Sequence, residues 1–257
     1  MPSSCRFREC TYMNFIDVAW AAYIDHCIAG RNSKYINLFS NYYLVSSLRQ
    51  APASLNFEYF CQNVCSDFLN SWGKMYIQNN SINNDALNIY NAIIQLNPLV
   101  CQIQNQTILT CNLSQGSPLY LNIIQMYDTL TNIGGISMTG FSKIAHILND
   151  RLFPLIDNPI RKELRAAYNV SHDSQGYINW MREMKNQANE VIDDFHQKGF
   201  KGSPEIFLSQ HLGYDVKGHI KSIVKFLDEY YWLTITHGLT IPPSWSPCNL
   251  IFKIATL

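Results

Sequence analysis

The chain has little charge and no excess of either sign. Only 15% of its 257 residues are Asp, Glu, Lys or Arg, and 19 basic residues balance 19 acidic ones. A neutral chain exerts no overall attraction on nucleic acid, so any DNA-binding surface has to come from local segregation of charge. Apolar residues make up 47% of the composition, which argues against disorder and provides enough material for a hydrophobic core.

Long apolar runs are also missing. No stretch approaches the roughly 20 apolar residues that a helix needs to cross a bilayer, and residues 1–10 lack the apolar centre of a secretory signal. The eight cysteines therefore indicate reduced thiols rather than a disulfide framework. We expect an intracellular protein, cytoplasmic or nucleoid-associated, with no membrane partner.

Several common catalytic motifs are absent. The chain has no Walker loop, no Gly-x-Gly-x-x-Gly, no Gly-x-Ser-x-Gly and no His-Glu-x-x-His, so nucleotide hydrolysis, hydride transfer and zinc proteolysis have no support. Cys61 and Cys65 lie one helical turn apart, but no second pair and no nearby histidine completes a tetrahedral metal site. We interpret both as buried structural thiols, and expect no metal and no cofactor.

Apolar residues recur at helical spacing through most of the chain, which predicts an all-α protein. The predicted helices cover residues 12–30, 34–49, 55–78, 86–96, 120–132, 160–168, 177–195, 205–212 and 216–237. We expect Pro98 to end the fourth helix. Residues 99–113 fit either a minor short β element or a further helix.

The same pattern suggests three parts of one compact unit with a central cleft. These are an N-terminal helical part (1–118), a part that contains a helix–hairpin–helix (119–237) and an irregular, proline-containing tail (238–257). The hairpin is a glycine turn between two predicted helices, with Gly134, Gly135 and Gly140 in or beside it.

A lysine and an aspartate follow this turn. In the run 141–148 the apolar residues share one helical face, which places Lys143 and His146 on the opposite side. An apolar connector, residues 151–156, then leads to Asp157, and the following Asn-Pro makes Asp157 a candidate helix cap. Because the connector is short, Lys143 and Asp157 could converge on one cleft.

The stretch from Ile133 to Asp157 resembles an uncharacterised helical family, whose members carry a Ser-Lys-x-x-His helix, then Leu-Phe, then an aspartate. Segments 176–184 and 227–230 are similar to the same family, so the likeness covers roughly residues 120–232. The stretch is also remotely similar to the helix–hairpin–helix DNA glycosylases of the 8-oxoguanine type.

The glycosylase resemblance implies a chemistry. Lys143 would match the Schiff-base lysine, and Asp157 would match the catalytic aspartate. The family hairpin is usually Leu-Pro-Gly-x-Gly, whereas Ser137 or Phe141 stands here at the second glycine, depending on register. The spacing from lysine to aspartate is shorter than in most members, and no iron–sulfur cysteine cluster follows.

The implied activity is excision of a damaged or modified base, with or without lyase activity, from double-stranded DNA with one nucleotide flipped out. Substrate-binding roles then fall to two hairpin glycines and to four side chains that contact phosphate, relay a proton or stack on the base. These residues are Gly135, Gly140, Ser142, His146, Arg161 and Trp180.

Each of these residues also has an ordinary structural interpretation. A lysine on a polar helix face is usually solvated, Asp157 could serve only as a helix cap, and His146 and Trp180 could belong to the core. The alternative function is therefore a non-catalytic helical module that binds nucleic acid or a protein partner.

Overall fold

A computed structural model describes residues 14–27, 33–70, 75–77, 85–212 and 220–241. Over these ranges the chain is helical and contains no β-strand, which confirms the all-α prediction. The α-helices are α1 (Phe15–Cys27), α2 (Ser33–Ser40), α3 (Tyr42–Gln50), α4 (Phe57–Phe60), α5 (Asp85–Ile103), α6 (Pro118–Thr131), α7 (Met138–Leu148), α8 (Asn158–Tyr168), α9 (Ser174–Gln197), α10 (Pro204–His211) and α11 (Ile223–Tyr231).

Helix α1 lies in the interior. The sequence predicted an amphipathic helix over 12–30, but α1 is buried on nearly every side because α9, α10 and α11 pack around it. Small residues such as Ala19 and Ala22 have no exposed surface and allow this close packing. The predicted end of the helix at Gly30 lies outside the described residues.

Helix α5 corrects two predictions. Pro98 does not end this helix, which continues to Ile103. Of the segment 99–113, residues 99–103 are therefore helical, and 104–113 are turns and irregular chain rather than a strand or a further helix. A proline removes one helical hydrogen bond, but Val100 and Ile103 beyond it are buried and hold the last turn in the core. The side-chain amide of Asn149 also donates to the carbonyl of Ile103 at 2.9 Å.

Two segments have the wider turns of a π-helix. Within the predicted helix 55–78, the structure has α4 followed by a π-helix at Cys61–Asn70. Residues 75–77 are not helical, and residues 71–74 and 78 lie outside the described residues. The predicted helix 216–237 consists of α11 followed by a π-helix at Trp232–Thr236, and its predicted beginning lies partly outside the described residues. The predicted irregular tail is also outside them beyond residue 241.

One continuous hydrophobic core connects α1 near the N-terminus with α11 near the C-terminus. Helices on both sides of residue 118 contribute to it, since α1 packs on α11 and α5 packs on α6. In the part of the chain that the structure describes, no helix combines the length and the apolar character needed to span a bilayer.

A group of ionisable side chains is buried where α1 meets α11. Lys221 Nζ lies 2.7 Å from Glu229 Oε1, and Lys225 Nζ lies 2.6 Å from Asp228 Oδ2. Asp25 of α1 completes this buried ion cluster, and all five residues are less than a tenth exposed. Burial, reinforced by the negative charge of Glu229 and opposed by the two lysines, raises the pKa of Asp25 to about 7.

Candidate functional site

The glycine turn between α6 and α7 is exposed. Gly135 has a φ of +84°, a left-handed conformation that favours glycine. The backbone N–H of Ile136 donates to the carbonyl of Ile133 at 3.1 Å and closes the turn. A Cβ atom on Gly134 or Gly135 would meet nothing within 4 Å, so the backbone of the turn is open to an approaching ligand.

Gly140 has a different environment from Gly135. It is buried in the first turn of α7, where an added Cβ would lie 3.0 Å from Met75 Cε and 3.1 Å from Ile136 Cγ2. Its lack of a side chain therefore serves close packing, and only Gly135 of the two predicted glycines has its backbone at the surface.

Helix α7 is buried on more than its apolar face. The sequence predicted a polar face that carries Lys143 and His146, but α3 and α6 cover α7 from two sides. Lys143 remains half-buried, whereas His146 and the neighbouring Ser142 have no exposed surface. The prediction of a shared polar face is therefore wrong for His146. Of the two side chains, only Lys143 retains contact with solvent.

Four buried side chains hold the connector between α7 and α8. Residues 153–156, the buried second part of the predicted connector, are non-helical, and their backbone groups need partners from outside the segment. Three side chains bind its carbonyls: His146 Nδ1 lies 2.7 Å from the Phe153 carbonyl, the Tyr177 hydroxyl donates to the Pro154 carbonyl at 2.9 Å, and Trp180 Nε1 donates to the Leu155 carbonyl at 3.1 Å. The fourth side chain, Ser142, accepts a hydrogen bond at Oγ from the Ile156 N–H at 3.2 Å.

Ser142, His146 and Trp180 therefore have positions that differ from the predicted substrate contacts. Each is buried and hydrogen-bonded to the connector. The Trp180 ring packs edge-on against Tyr231, with ring centroids 5.1 Å apart, and offers no exposed surface to a flipped base. In this conformation the three side chains act on the backbone that leads to Asp157.

The protonation of His146 agrees with this role. Burial lowers its pKa to about 4, against the weaker opposing effect of the Asp150 carboxylate. The imidazole is consequently neutral near pH 7. Since Nδ1 faces a carbonyl oxygen that can only accept, the proton resides on Nδ1. A neutral, buried imidazole cannot attract a phosphate.

Asp157 is the N-cap of α8, and both of its carboxylate oxygens accept hydrogen bonds. Oδ1 accepts a hydrogen bond from the Ile160 N–H at 2.9 Å, which confirms the prediction of a helix cap. Oδ2 accepts a hydrogen bond from the Thr236 hydroxyl at 2.8 Å. The residue is half-buried, so part of its side chain also faces solvent.

The chain passes close to α7 just before Asp157. The hydrogen bond between Ser142 and Ile156 joins the residue before Lys143 to the residue before Asp157. The backbone positions of the predicted lysine and aspartate thus belong to one region of the protein, next to the helix that the glycine turn begins. Both residues are half-buried rather than sealed in the core.

Arg161 lies one turn after Asp157 on α8. Its Nε atom is buried and has no hydrogen-bond partner among the described residues. Its charge acts on the Tyr127 phenol of α6, where burial raises the pKa to about 12 and Arg161 opposes that rise. Lys162 and Arg165 on the same helix are exposed. Helix α8 therefore carries one half-buried and two exposed cationic side chains after Asp157.

Cys65 is buried and Cys61 is half-buried, so the prediction of two buried thiols holds for Cys65 only. Burial raises the pKa of Cys65 to about 12 and also raises the pKa of Cys61, so neither favours the thiolate that binds metal. Among the described residues, no group of three or more His, Cys, Asp or Glu side chains is arranged to hold a metal ion.

Two contributors to this region were not assigned their roles from the sequence. They are Tyr177, which binds the Pro154 carbonyl, and Thr236, which binds Asp157. Thr236 is 79 positions from Asp157, and a threonine near the end of a predicted helix gives no signal of a long-range contact. Buried tyrosines commonly form a hydrogen bond through the hydroxyl, so the sequence gives no specific signal for the contact of Tyr177 either.

Comparison of the chain with protein-family models, with curated proteins and with solved structures gives no significant match.

Proposed function

We propose that this protein is a helix–hairpin–helix DNA glycosylase in which Lys143 is the nucleophile and Asp157 is its carboxylate partner. One observation carries the proposal: the Ser142–Ile156 hydrogen bond brings the chain at Asp157 beside the lysine-bearing helix that follows the exposed glycine turn. The proposal implies a cytoplasmic or nucleoid-associated protein that acts on double-stranded DNA.

In the proposed reaction, the neutral amine of Lys143 attacks C1′ of a flipped-out nucleotide. The glycosidic bond breaks, the base leaves with the bonding electron pair and takes up a proton, and the amine loses a proton to solvent. Asp157 stabilises the positive charge that develops on the sugar. Ring opening then breaks the C1′–O4′ bond, O4′ takes up the remaining amine proton, and an imine forms between Lys143 and the sugar, from which a lyase step can follow.

Binding would rely on the hairpin and on α8. Exposed backbone N–H groups beside Gly135 would face a DNA phosphate, since the glycines leave room for close approach. The half-buried Arg161 and the exposed Lys162 and Arg165 would contribute positive charge towards further phosphates. Because the whole chain is neutral, DNA binding requires a local basic surface of this kind.

Borohydride trapping on DNA that contains an abasic site tests the proposal. Borohydride reduces an imine to a stable amine, so a covalent protein–DNA adduct should form with wild-type protein and be lost in Lys143→Ala. Lys201→Ala removes an exposed lysine from another part of the surface and should leave adduct formation unchanged. Equal trapping by wild type and Lys143→Ala would show that the lysine assignment is wrong.

The second candidate is a non-catalytic helical module that binds nucleic acid or a protein partner. The specific observation in its favour is that both carboxylate oxygens of Asp157 already accept hydrogen bonds within the protein, as expected of a structural cap. Absence of any adduct or base release on DNA with oxidised, alkylated or glycosylated bases would favour this candidate.

A further inference from the structure

Thr236 provides a side-chain contact to Asp157 from the far end of the chain. Its hydroxyl donates to Asp157 Oδ2 at 2.8 Å, while the Ile160 N–H donates to Oδ1 at 2.9 Å. The two donors hold the two oxygens from different directions, so rotation of the carboxylate would break at least one bond. Without Thr236, the Asp157 carboxylate would be restrained only by the helix-cap bond at Oδ1.

The two bonds leave the carboxylate able to interact further. An ionised carboxylate has about four acceptor positions on its two oxygens, and the two protein donors occupy two of them. The remaining capacity and the half-exposed position of Asp157 allow it to face a positively charged centre. The two hydrogen bonds thus orient the carboxylate and leave acceptor positions available on its oxygens.

The local structure around Thr236 is unusual for its position. Thr236 is the last residue of the π-helix Trp232–Thr236, which packs on α8. The wider turns of a π-helix change the direction of its side chains relative to a continuing α-helix, and such turns are frequent at functional sites. By contrast, Thr234 in the same segment bonds back to the Tyr230 carbonyl at 2.7 Å, as helical threonines commonly do.

We infer that Thr236 is a positioning residue for Asp157, through which the π-helix Trp232–Thr236 completes the candidate site. The catalytic consequence of this inference rests on the proposed glycosylase function. The orientation of the carboxylate itself does not, because it can be measured in the protein without DNA.

The first measurement is amide hydrogen exchange at Ile160, whose N–H is bonded to the carboxylate that Thr236 restrains. In Thr236→Val the exchange should become faster by roughly 3- to 10-fold, the range expected for loss of one hydrogen bond. Thr236→Ser keeps the hydroxyl and should restore slow exchange. Thr234→Val is the matched control, with the same substitution in the same π-helix, and should leave Ile160 unchanged.

The second measurement is the single-turnover rate of adduct formation at saturating abasic DNA. Thr236→Val should lower this rate on the order of tenfold, since bonds to charged groups are the stronger ones, and should leave DNA affinity unchanged. Thr236→Ser should recover the rate. A purely structural loss would instead lower affinity and thermal stability together, and serine would be no better than valine.

The outcomes separate the two proposals. Faster exchange at Ile160 in Thr236→Val, without any adduct from wild-type protein, would support the positioning role and reject the glycosylase function. An adduct that requires Lys143 but is indifferent to Thr236→Val, with Ile160 exchange also unchanged, would reject the positioning role and leave the glycosylase function standing.

Discussion

At the scale of single residues, the connector 153–156 is held by side chains because it has no secondary-structure partner. A buried carbonyl outside a helix or sheet has no hydrogen bond unless another group donates to it. Leaving that carbonyl unpaired costs free energy. His146, Tyr177 and Trp180 each donate to one carbonyl of this segment. These three residues thereby fix the path of the chain into Asp157.

Removing one of these donors should destabilise the protein. Tyr177→Phe keeps the ring that packs edge-on against Phe141 but leaves the Pro154 carbonyl without its 2.9 Å partner. We expect a loss of about 1–3 kcal/mol in the free energy of unfolding, measured by urea denaturation. Tyr43→Phe removes the hydroxyl of an exposed tyrosine and should change stability by less than about 0.5 kcal/mol. Equal effects would contradict the role assigned to Tyr177.

His146 should make stability depend on pH. The unfolded imidazole binds a proton below its ordinary pKa of 6.5, whereas the folded one does so only near 4. Acidification from pH 6.5 towards 4 therefore favours the unfolded state, by about 1.4 kcal/mol per pH unit for this one group. Above pH 6.5 the group is neutral in both states and contributes no pH dependence.

The measurement compares the free energies of unfolding of wild type and His146→Gln, which can still donate to the Phe153 carbonyl, from pH 7 to pH 5. The difference between the two proteins should shift in favour of the variant as pH falls. His172→Gln changes an exposed histidine and should follow the wild type. Parallel curves for wild type and His146→Gln would show that the imidazole does not titrate as stated.

At the scale of elements, the α6–α7 turn combines a strained backbone with an open surface. Gly135 and Gly116 have nearly the same conformation, with φ of +84° and +80°, and both have open space at the position of a Cβ atom. They differ in location, because Gly116 lies before α6 and Gly135 lies in the hairpin. The pair therefore separates backbone strain from any effect on binding.

Gly135→Ala and Gly116→Ala should each cost about 1 kcal/mol of stability, since alanine disfavours a positive φ. Only Gly135→Ala should weaken binding to duplex DNA, because the altered turn would no longer present its N–H groups to a phosphate. Fluorescence anisotropy at fixed salt concentration measures the affinity. An equal loss of affinity in both variants would indicate a general effect of destabilisation rather than a hairpin contact.

At the scale of the whole molecule, the buried ion cluster joins the two ends of the described chain. Asp25 of α1 faces Lys225, Asp228 and Glu229 of α11, together with Lys221 just before that helix. The Oε2 atom of Glu229 has no hydrogen-bond partner among the described residues. Burial of charged groups carries a desolvation cost that can exceed the attraction within the ion pairs.

Asp25 should oppose stability at neutral and higher pH. Its folded pKa of about 7 lies above its ordinary value of 3.8, so the folded state retains a proton that the unfolded state has released. Stability from this group is therefore greatest below pH 3.8, falls as pH rises from 3.8 to 7, and stays at its lower level above pH 7.

The test is the free energy of unfolding of Asp25→Asn, which resembles the protonated carboxyl. The variant should gain stability relative to wild type as pH rises from 4 to 7, reaching a few kcal/mol, at most ~4 kcal/mol, at pH 8. Asp193→Asn on the exposed face of α9 is the control and should give no such trend. A difference between Asp25→Asn and wild type that does not change with pH would contradict the assignment.

The sequence by itself determined the helical class and the approximate positions of several helices, because both depend on residues close together in the chain. Apolar spacing predicted helices where α6, α8 and α9 occur, and Asp157 was recognised as a cap from the Asn-Pro that follows it. Capping and periodicity act over one or two turns, so the information is local.

Only the tertiary structure decided which side chains are accessible. Lys143 and His146 look equivalent on a helical wheel, yet one is half-buried and the other fully buried, because α3 and α6 cover more of α7 than its apolar face. The contact of Thr236 with Asp157 and the continuation of α5 past Pro98 likewise depend on packing between distant segments. Burial is a property of what surrounds a residue, and neighbours along the chain do not specify it.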